Sequence, residues 1–321
     1  MSAIITVTFN PCIDKSFSVD RLVPDSKTAC TAPCREPGGG GINVARAVRM
    51  LGGQATAIFP AGGHFGEMLV ELLAMERVPV KPTKIIGETR ENVNVTESST
   101  GRQYRFILPG PSLDDSTWHA CIQSAAEVDE GGFVVVSGSL GPGWPKDIFL
   151  RLKHLTENKN AHLVVDSSGP ALVEALRAGV YLVKPSLHEL ETLSQTLRLP
   201  GATPIEKARQ LITNRNASVV LVSAGASGAM LVTSEGTWEI AAPQVQKMTT
   251  IGAGDCLVAG TIWRLSAGDP LPDAVRYGVA CSAAAVMNPG TALCRREDAD
   301  RLYHYMPESR MVTGRGLAPT R

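Results

Sequence analysis

Short apolar segments alternate with amphipathic ones along most of the chain. Residues 4–9 form a β-branched run without a helical period, which predicts a strand. Residues 43–51 repeat apolar positions three and four apart, which is typical of a helix packed through one face. The same patterns predict further strands at 55–59, 133–136, 163–165, 181–183 and 219–222, and further helices at 66–75, 148–155, 171–178 and 205–212. Wholly apolar strands separated by helices indicate an α/β fold, with a mainly parallel sheet covered by helices on both faces.

Two stretches interrupt this alternation. Residues 17–35 have no convincing helical period, and residues 92–108 alternate polar and apolar side chains around Thr100-Gly101, as an antiparallel hairpin does. We expect both stretches to form one small β-sheet, a lid whose segments, about 12–36 and 88–109, are inserted in a single domain of residues 1–306. Residues 307–321 are polar and basic, and are expected to form a disordered tail.

Composition narrows the class of protein. Lys plus Arg and Asp plus Glu balance at 31 each, so no net field would attract a nucleic acid or an anionic membrane, and we expect neither as a partner. An anionic ligand must therefore be held by a local cluster of basic groups. The seven cysteines form no C-x-x-C pair, and no apolar run approaches the ~18 residues of a membrane span, so we expect a reduced, cytoplasmic protein.

Four consecutive glycines, 38–41, stand directly before the helix predicted at 43–51. Glycines let the backbone approach a ligand closely, and a helix N-terminus presents free N–H groups. Asn43 would then either cap the helix or bond a ligand hydroxyl, and a flexible turn followed by an N-cap remains the simpler explanation of the glycine run alone. The spacing lacks the G-x-G-x-x-G of a dinucleotide-binding fold, and no G-x-x-x-x-G-K-[ST] occurs, which excludes a P-loop.

A second glycine-containing segment, 250–256, opens an apolar helix predicted at 257–265. Its small residues would present consecutive amides at the positive end of that helix, which forms an anion hole. Asp255 stands in the first turn beside this hole, where a carboxylate can also be a simple helix cap. A cap needs no Gly-Ala-Gly before it, whereas phosphoryl transfer to an alcohol needs a base next to an anion hole.

Four motifs together resemble the PfkB/ribokinase family of sugar kinases. They are GGGGINVA at 38–45, SGSLGPG at 137–143, VDSSG at 165–169 and TIGAGD at 250–255. The segments at 30–33, 56–62 and 103–106 are most similar to the minor bacterial 6-phosphofructokinase branch of that family. The similarity runs from the first strand to about Tyr305.

The resemblance implies a ribokinase-like three-layer α/β/α core with a mainly parallel sheet and a small β-sheet lid. It also implies ATP-dependent phosphorylation of the C1 hydroxyl of fructose 6-phosphate. Asp255 would be the general base, and the amides of Gly252, Ala253 and Gly254 would form the anion hole. The substrate would be bound by Asp14, Gly38, Gly39, Gly40, Asn43, Arg90, Arg105 and Ser139. Lys27 of the lid would lie near ligand shared across a homodimer.

The resemblance implies cofactor sites as well. ATP would be bound by Lys184, Ser186, Ser223, Ala224, Gly225, Ala226, Ser227, Gly228, Lys247, Val279 and Ala283. Magnesium would be organised by Ser186 and Glu189, and a potassium site would be formed, mostly by backbone carbonyls, from Thr249, Ile251, Ala285, Asn288, Gly290 and Ala292. Two positions depart from the family pattern. Ser186 stands where N-x-x-E has asparagine, which predicts a weaker hold on magnesium, and Ala292 replaces an arginine.

Alternatives remain at this point. Tagatose-6-phosphate kinase and 1-phosphofructokinase act on similar phosphorylated sugars, and a sugar-phosphate-binding regulator without catalysis is a rival of another class. The intact Asp255 argues against that regulator, and the missing fingerprint argues against a dinucleotide-dependent oxidoreductase. Single residues are ambiguous too, because Asp14 is equally typical of a turn and Asp166 of a cap, while His188 is expected on an exposed helix surface.

Overall fold

The computed structural model describes residues 1–288 and 290–312. Its strands, in chain order, are Ile4–Val7 (β1), Cys12–Val19 (β2), Cys34–Gly38 (β3), Thr56–Ala61 (β4), Val80–Lys84 (β5), Arg90–Glu97 (β6), Gln103–Phe106 (β7), Phe133–Ser137 (β8), His162–Asp166 (β9), Val180–Val183 (β10), Ala217–Ser223 (β11), Ala229–Val232 (β12), Thr237–Ile240 (β13) and Arg310–Met311 (β14). Its α-helices are Gly40–Met50 (α1), Gly63–Met75 (α2), Asp115–Ala125 (α3), Ile148–Asn158 (α4), Gly169–Ala178 (α5), Leu187–Thr196 (α6), Pro204–Thr213 (α7), Ala253–Ser266 (α8), Leu271–Val286 (α9) and Arg296–Tyr305 (α10).

The main sheet follows the order β14-β13-β12-β11-β10-β9-β8-β1-β4-β5 within the described part of the chain. The strands from β11 to β5 pair in parallel, and β12, β13 and β14 continue the sheet as antiparallel strands. The predicted parallel sheet is therefore confirmed. The expected disordered tail is wrong for part of its length, because Arg310–Met311 pairs with β13. Residues 313–321 of that tail lie outside the described residues.

Two hydrophobic cores fill the two faces of the main sheet. Successive strand residues point to opposite faces, so Ile4 joins one core and Ile5 the other. Helices α1, α2, α8, α9 and α10 contribute to the first core, and α3 to α7 contribute to the second. Each fully buried aliphatic side chain contributes about 1.5–3 kcal/mol to this packing. The three-layer arrangement implied by the resemblance is confirmed, and none of the helices described is long and apolar enough to cross a membrane.

Helix α1 shows why the first glycine run matters. Its apolar face is fully buried, as predicted, but the helix begins at Gly40 and its N-cap is Gly39, with φ +113°. A side chain at Gly41 would press against the Thr8 hydroxyl, which accepts a hydrogen bond from the Ile42 amide at 2.8 Å. Asn43 therefore lies inside the helix rather than at its cap, which leaves its amide group available for the site.

The small sheet has the order β3-β2-β6-β7. The predicted hairpin is β6 and β7, which pair antiparallel with Val95 opposite Tyr104. Strand β2 follows β1 and β6 follows β5, so both continue from the carboxyl ends of parallel strands of the main sheet and run in the same direction. They consequently pair in parallel, with Asp14 opposite Asn92.

Candidate active site

Asp255 lies in the first turn of α8 and its carboxylate is held from two sides. The Asn43 amide Nδ2 donates to Oδ2 at 3.0 Å, and the Ser137 hydroxyl donates to Oδ1 at 3.3 Å. The N-cap of α8 is Gly252, in a left-handed conformation with φ +72° and no side-chain cap. Asp255 is thus not the cap of its helix, and the amides at the start of α8 remain free for an anion.

A buried ion pair lies beside these amides. Lys184, just after β10, places its Nζ 3.1 Å from Oδ1 of Asp166 at the end of β9. A Cβ added to Gly254 would lie 3.5 Å from that Nζ, so the ammonium group borders the predicted anion hole. Asp166 is therefore a charge partner rather than a cap, and Ser168, the N-cap of α5, makes no side-chain cap bond either.

These neighbouring groups and the burial of the site determine the protonation of Asp255. Burial is the largest cause that raises the pKa of Asp255, repulsion by Asp166 adds to it, and together they raise the pKa to about 7. The hydrogen bonds from Asn43 and Ser137 and the charge of Lys184 act in the opposite direction. Burial alone would lower the pKa of Lys184, but Asp166, Glu189 and Asp255 raise it, so the ammonium stays charged. A carboxylate that titrates near neutral pH is suited to proton transfer.

A cavity of 490 Å³ has Arg90 of the small sheet in its lining, and we call it the arginine pocket. Its lining includes Arg90 and Ser139, which the sequence analysis assigned to one ligand. Asn10, which that analysis missed, connects them, because its Nδ2 donates to Ser139 Oγ at 2.9 Å and its carbonyl accepts from Arg90 Nη2 at 3.0 Å. The remaining lining is formed by residues 107–110, 140–142, 144, 167–168 and 170–171.

Asn92 was also missed, and it joins Arg90 to Asp14. Its Nδ2 donates to Asp14 Oδ1 at 3.1 Å, while its Oδ1 accepts from Arg90 Nη1 at 3.3 Å. The Nε of Arg90 is buried and has no partner among the residues described. Arg105 lies on β7 and donates from Nη2 to the Thr250 hydroxyl at 3.3 Å, so the polar face of the small sheet reaches the segment before α8.

The glycines predicted to bind substrate, 38–40, pack closely against other residues of the candidate site. Added side chains would collide with Asp14 Oδ2 at Gly38 and with Ser137 Oγ at Gly40, and one at Gly39 would press against Thr8. The run therefore brings β3, β8 and α1 together without leaving room for side chains. Lys27, in contrast, lies exposed between β2 and β3 and makes no hydrogen bond or ion pair within the described ranges.

A second cavity of 340 Å³ has Gly254, the neighbour of Asp255, in its lining, and we call it the glycine-turn pocket after the turn Gly225–Ser227. It brings together many residues of the predicted nucleotide site with two residues of the anion hole. The predicted residues that line it are Ser223, Gly225, Ala226, Gly228, Lys247, Ala253, Gly254, Val279 and Ala283. Lining residues that the sequence analysis missed are Ala242, Pro243, Gln244, Val245, Thr250, Leu257, Ser282 and Val286. Ala224 and Ser227 belong to the turn and bond each other through the Ser227 amide rather than lining the pocket.

Ser186 and Glu189 form a capping box at the start of α6. The Glu189 amide donates to Ser186 Oγ at 3.2 Å, and the Ser186 amide donates to Glu189 Oε2 at 2.7 Å. Ser186 also pairs with Ser223 in an isolated parallel bridge, which places the start of α6 beside the glycine turn. His188 is exposed on this helix, as predicted.

The segments of the predicted potassium loop lie side by side in the ranges described. The Met248 amide donates to Val286 O at 2.8 Å, and the amide of Ile251 to the Thr249 hydroxyl at 3.2 Å. Asn288 is buried, and its Nδ2 donates to the carbonyls of Ala284 at 3.2 Å and Leu293 at 2.8 Å. The bond between Met248 and Val286 brings the end of α9, with Ala285, next to the segment that leads to Gly252.

Comparisons with known proteins agree with this geometry. Residues 7–298 match the model of the pfkB family carbohydrate kinases. The chain is 41% identical to the ATP-dependent 6-phosphofructokinase isozyme 2 of Escherichia coli strain K12, over 95% of this chain and 99% of the relative. A crystal structure of phosphofructokinase-2 from Escherichia coli in complex with fructose-6-phosphate superposes with a TM-score of 0.88, at 38% identity, over 95% of this chain and 99% of that one. The structure of phosphofructokinase-2 from Escherichia coli in complex with potassium gives 0.89 at 39% identity, with the same coverage. The chain belongs to the pfkB family of carbohydrate kinases.

Proposed function

We propose that this protein is an ATP-dependent 6-phosphofructokinase, which transfers the γ-phosphoryl group of ATP to the C1 hydroxyl of fructose 6-phosphate. The observation that carries the proposal is that Asp255 is linked to residues of both pockets. Its neighbour Gly254 lines the glycine-turn pocket, and its partner Ser137 lies two residues before Ser139 of the arginine pocket. The names of the similar proteins support the same activity.

The arginine pocket accounts for the sugar phosphate. Arg90 and Ser139 would bind the 6-phosphate through charge-assisted and hydroxyl hydrogen bonds. Asp14 would accept hydrogen bonds from sugar hydroxyls, and Asn43 would donate hydrogen bonds to them. Gly38, Gly39 and Gly40 would let the sugar approach the backbone. Asn10 and Asn92 hold Arg90, Ser139 and Asp14 in place before substrate arrives.

The glycine-turn pocket accounts for ATP. Val279, Ala283 and Leu257 offer an apolar wall suited to a purine ring, and the turn at 224–228 offers backbone groups to the ribose and phosphates. Lys247 lies at the pocket lining, and Lys184 borders the anion hole. Both ammonium groups would attract the negatively charged phosphates.

In the reaction the Asp255 carboxylate takes the proton of the C1 hydroxyl. The oxygen of that hydroxyl forms the new bond to the γ-phosphorus as the bond from phosphorus to the bridging oxygen of ADP breaks. The amides of Gly252, Ala253 and Gly254, with the Lys184 ammonium, stabilise the charge on the transferring group. Asp255 then gives its proton to solvent, which restores the base.

The residues present fit the implied metals. Magnesium needs few protein ligands because it keeps several waters, and Glu189 leaves Oε1 outside the capping box for such a water-mediated contact with Ser186 nearby. When bound, magnesium neutralises phosphate charge. The carbonyl-rich loop of Thr249, Ile251, Ala285, Asn288, Gly290 and Ala292 suits potassium, and it lies next to the anion hole.

The small sheet would act as a lid over the arginine pocket and as a homodimer interface. Val93, Val95, Tyr104 and Phe106 share its apolar face, on which Val95 is already buried and Phe106 is 51% exposed. Pairing this face with a second copy would bury it and would bring Lys27 near ligand. Sedimentation of the protein at micromolar concentration should show a dimer, and an active monomer would contradict this part of the proposal.

A coupled kinase assay tests the main proposal. It measures ADP release with ATP and, in turn, fructose 6-phosphate, tagatose 6-phosphate and fructose 1-phosphate. We expect the highest kcat/KM with fructose 6-phosphate. A preference for another sugar phosphate would identify tagatose-6-phosphate kinase or 1-phosphofructokinase, and tight binding without turnover would identify a regulator.

A further inference from the structure

Arg46 is a buried cation next to the site that the mechanism above does not use. It lies in α1, one turn after Asn43, with 5% of its surface exposed. Its Nε and Nη2 each donate to the carboxylate of Glu76 at 2.7 Å, which anchors the guanidinium in a bidentate pair. The remaining nitrogen, Nη1, donates to the carbonyl of Pro37 at 2.9 Å and to Asn43 Oδ1 at 3.4 Å.

The contact with Asn43 decides which end of an amide faces the base. A primary amide has a donor end and an acceptor end of nearly equal shape, so its orientation is set by its partners. Arg46 is a pure donor and binds the Oδ1 end, which leaves the Nδ2 end for Asp255 at 3.0 Å. A reversed amide would direct two donors at Arg46 and an oxygen at the carboxylate, and both contacts would become repulsive.

Arg46 also connects this pair to the surroundings of the cleft. Its Nη2 lies 3.7 Å from Oε1 of Glu36 on β3, and Glu36 in turn accepts a hydrogen bond from the hydroxyl of Thr291. Pro37 directly precedes the first glycine run. The guanidinium is therefore held by Glu76 at the C-terminal end of α2 and by β3, and β3 is in turn bonded to the segment after α9.

We propose that Arg46 is a positioning residue for phosphoryl transfer, which locks the Asn43 amide in the orientation that donates to the catalytic carboxylate. This inference rests on the proposed kinase function. The groups that face Asp255 from the packed elements are Asn43, Ser137, Asp166 and Lys184. Arg46 acts through the first of them, since its own charge is offset by Glu76 and Glu36.

The variant Arg46→Lys tests the inference because it keeps the charge but cannot donate to Glu76, Pro37 and Asn43 together. The measurement is the pH profile of kcat/KM for fructose 6-phosphate, which reports the free enzyme. Loss of the Asn43 donor should move the acidic midpoint up by roughly one pH unit, with about a tenfold lower rate below it and an unchanged KM for ATP. The matched control is Glu76→Gln, which weakens the outer anchor but can still accept from Arg46. It should lower the melting temperature and leave the midpoint in place.

A double-mutant cycle shows whether Arg46 works through Asn43. In an Asn43→Ala background, Arg46→Lys should produce no further shift of the midpoint. A wild-type midpoint in Arg46→Lys, or a shift that persists without Asn43, would overturn the inference. If Arg46→Lys does not fold, the pair Arg46→Met with Glu76→Gln removes both charges together and should show the same shift. An inert wild-type protein would instead reject the proposed function itself.

Discussion

The two sides of the cleft are built from different kinds of group. The arginine pocket presents polar groups that are already bonded to one another, as Asn10 is to Ser139 and Arg90. The glycine-turn pocket presents backbone, small residues and apolar walls, as at Gly225, Val279 and Ala283. In the proposed function, recognition on the first side would depend on side-chain functional groups held in place beforehand, whereas recognition on the second would depend on shape. Substitutions should therefore affect the two substrates separately, except at Asp255, where both sides meet.

The largest effect is expected from Asp255→Asn, which removes the shared base. General-base removal lowers kcat by roughly 10²–10⁴-fold. Because neither pocket loses its own contacts, the KM values for ATP and fructose 6-phosphate should stay within a few-fold of wild type. Steady-state kinetics with both substrates provide the measurement, and a near wild-type kcat would contradict the role of this carboxylate.

Arg90→Ala should affect only the arginine pocket. The loss of a charge-assisted contact to phosphate raises the KM for fructose 6-phosphate by about tenfold or more, since such a bond contributes about 1.5–3 kcal/mol. The KM for ATP should not change. Arg102→Ala, on the same hairpin but exposed, is a matched control that should leave both constants unchanged. An equal effect of Arg90→Ala on both substrates would place Arg90 outside the sugar site.

The pH dependence of kcat/KM should report the ionisation of Asp255, which is linked to both pockets. Asp255 must be ionised to accept a proton, and its pKa is raised to about 7. Hence kcat/KM should rise as the pH increases through 7 and fall by about tenfold for each unit below it. A profile of kcat/KM from pH 5.5 to 8.5 checks this, and a flat profile down to pH 5.5 would show that the base titrates at the ordinary pKa of a carboxyl.

Ser186→Asn should strengthen magnesium binding on the nucleotide side, because it restores the asparagine that the N-x-x-E pattern has at this position. Asparagine is as good an N-cap as serine, so the capping box and the melting temperature should be preserved. The longer side chain should lower the free magnesium needed for half-maximal rate, by up to about tenfold. Titration of free magnesium at fixed MgATP decides the matter, with Ser186→Ala as the control that lacks a cap. A curve that does not move would remove this position from magnesium binding.

The smallest effect is expected from Ala283→Leu, which narrows the glycine-turn pocket. Ala283 is buried on α9 and lines that pocket. A larger side chain should raise the KM for ATP by about fivefold, which corresponds to the low end of overpacking costs, while the KM for fructose 6-phosphate stays constant. Ala283→Ser, with little added volume, should behave like wild type. A changed sugar KM would show that the two sides are not independent.

Much of the fold could be predicted because most of its helices and strands follow local patterns of apolar and polar residues. The apolar face of α1 and the alternation of β6 and β7 each fit within a window of about ten residues, and both are confirmed. Strand β14 was missed because two exposed residues carry no such pattern. Its place is fixed by pairing with β13, more than seventy residues earlier in the chain.

The residues of the candidate site also divide into those that a local motif reveals and those that no local motif reveals. Asp255 and the glycine runs stand in recognisable motifs, whereas Asn10, Asn92 and Arg46 are single polar residues whose roles appear only in three dimensions. Asn10 meets Ser139 across 129 positions, and Asn43 meets Asp255 across 212. Ser186 and Glu189 could have been read as a capping box, because serine followed three residues later by glutamate is its usual signature.

The parallel pairing of β2 with β6 bears on the order of folding. Asp14 and Asn92 are 78 positions apart, and β3, α1, β4, α2 and β5 lie between their strands. Closing so long a loop is entropically costly until the intervening elements have brought its ends together. The face of the small sheet that carries Asp14 and Asn92 is therefore assembled at the carboxyl ends of main-sheet strands that have already formed. The same connectivity lets the small sheet separate from its neighbours while every strand pair of the main sheet stays intact. Local unfolding of the small sheet therefore costs less free energy than unfolding of the whole chain.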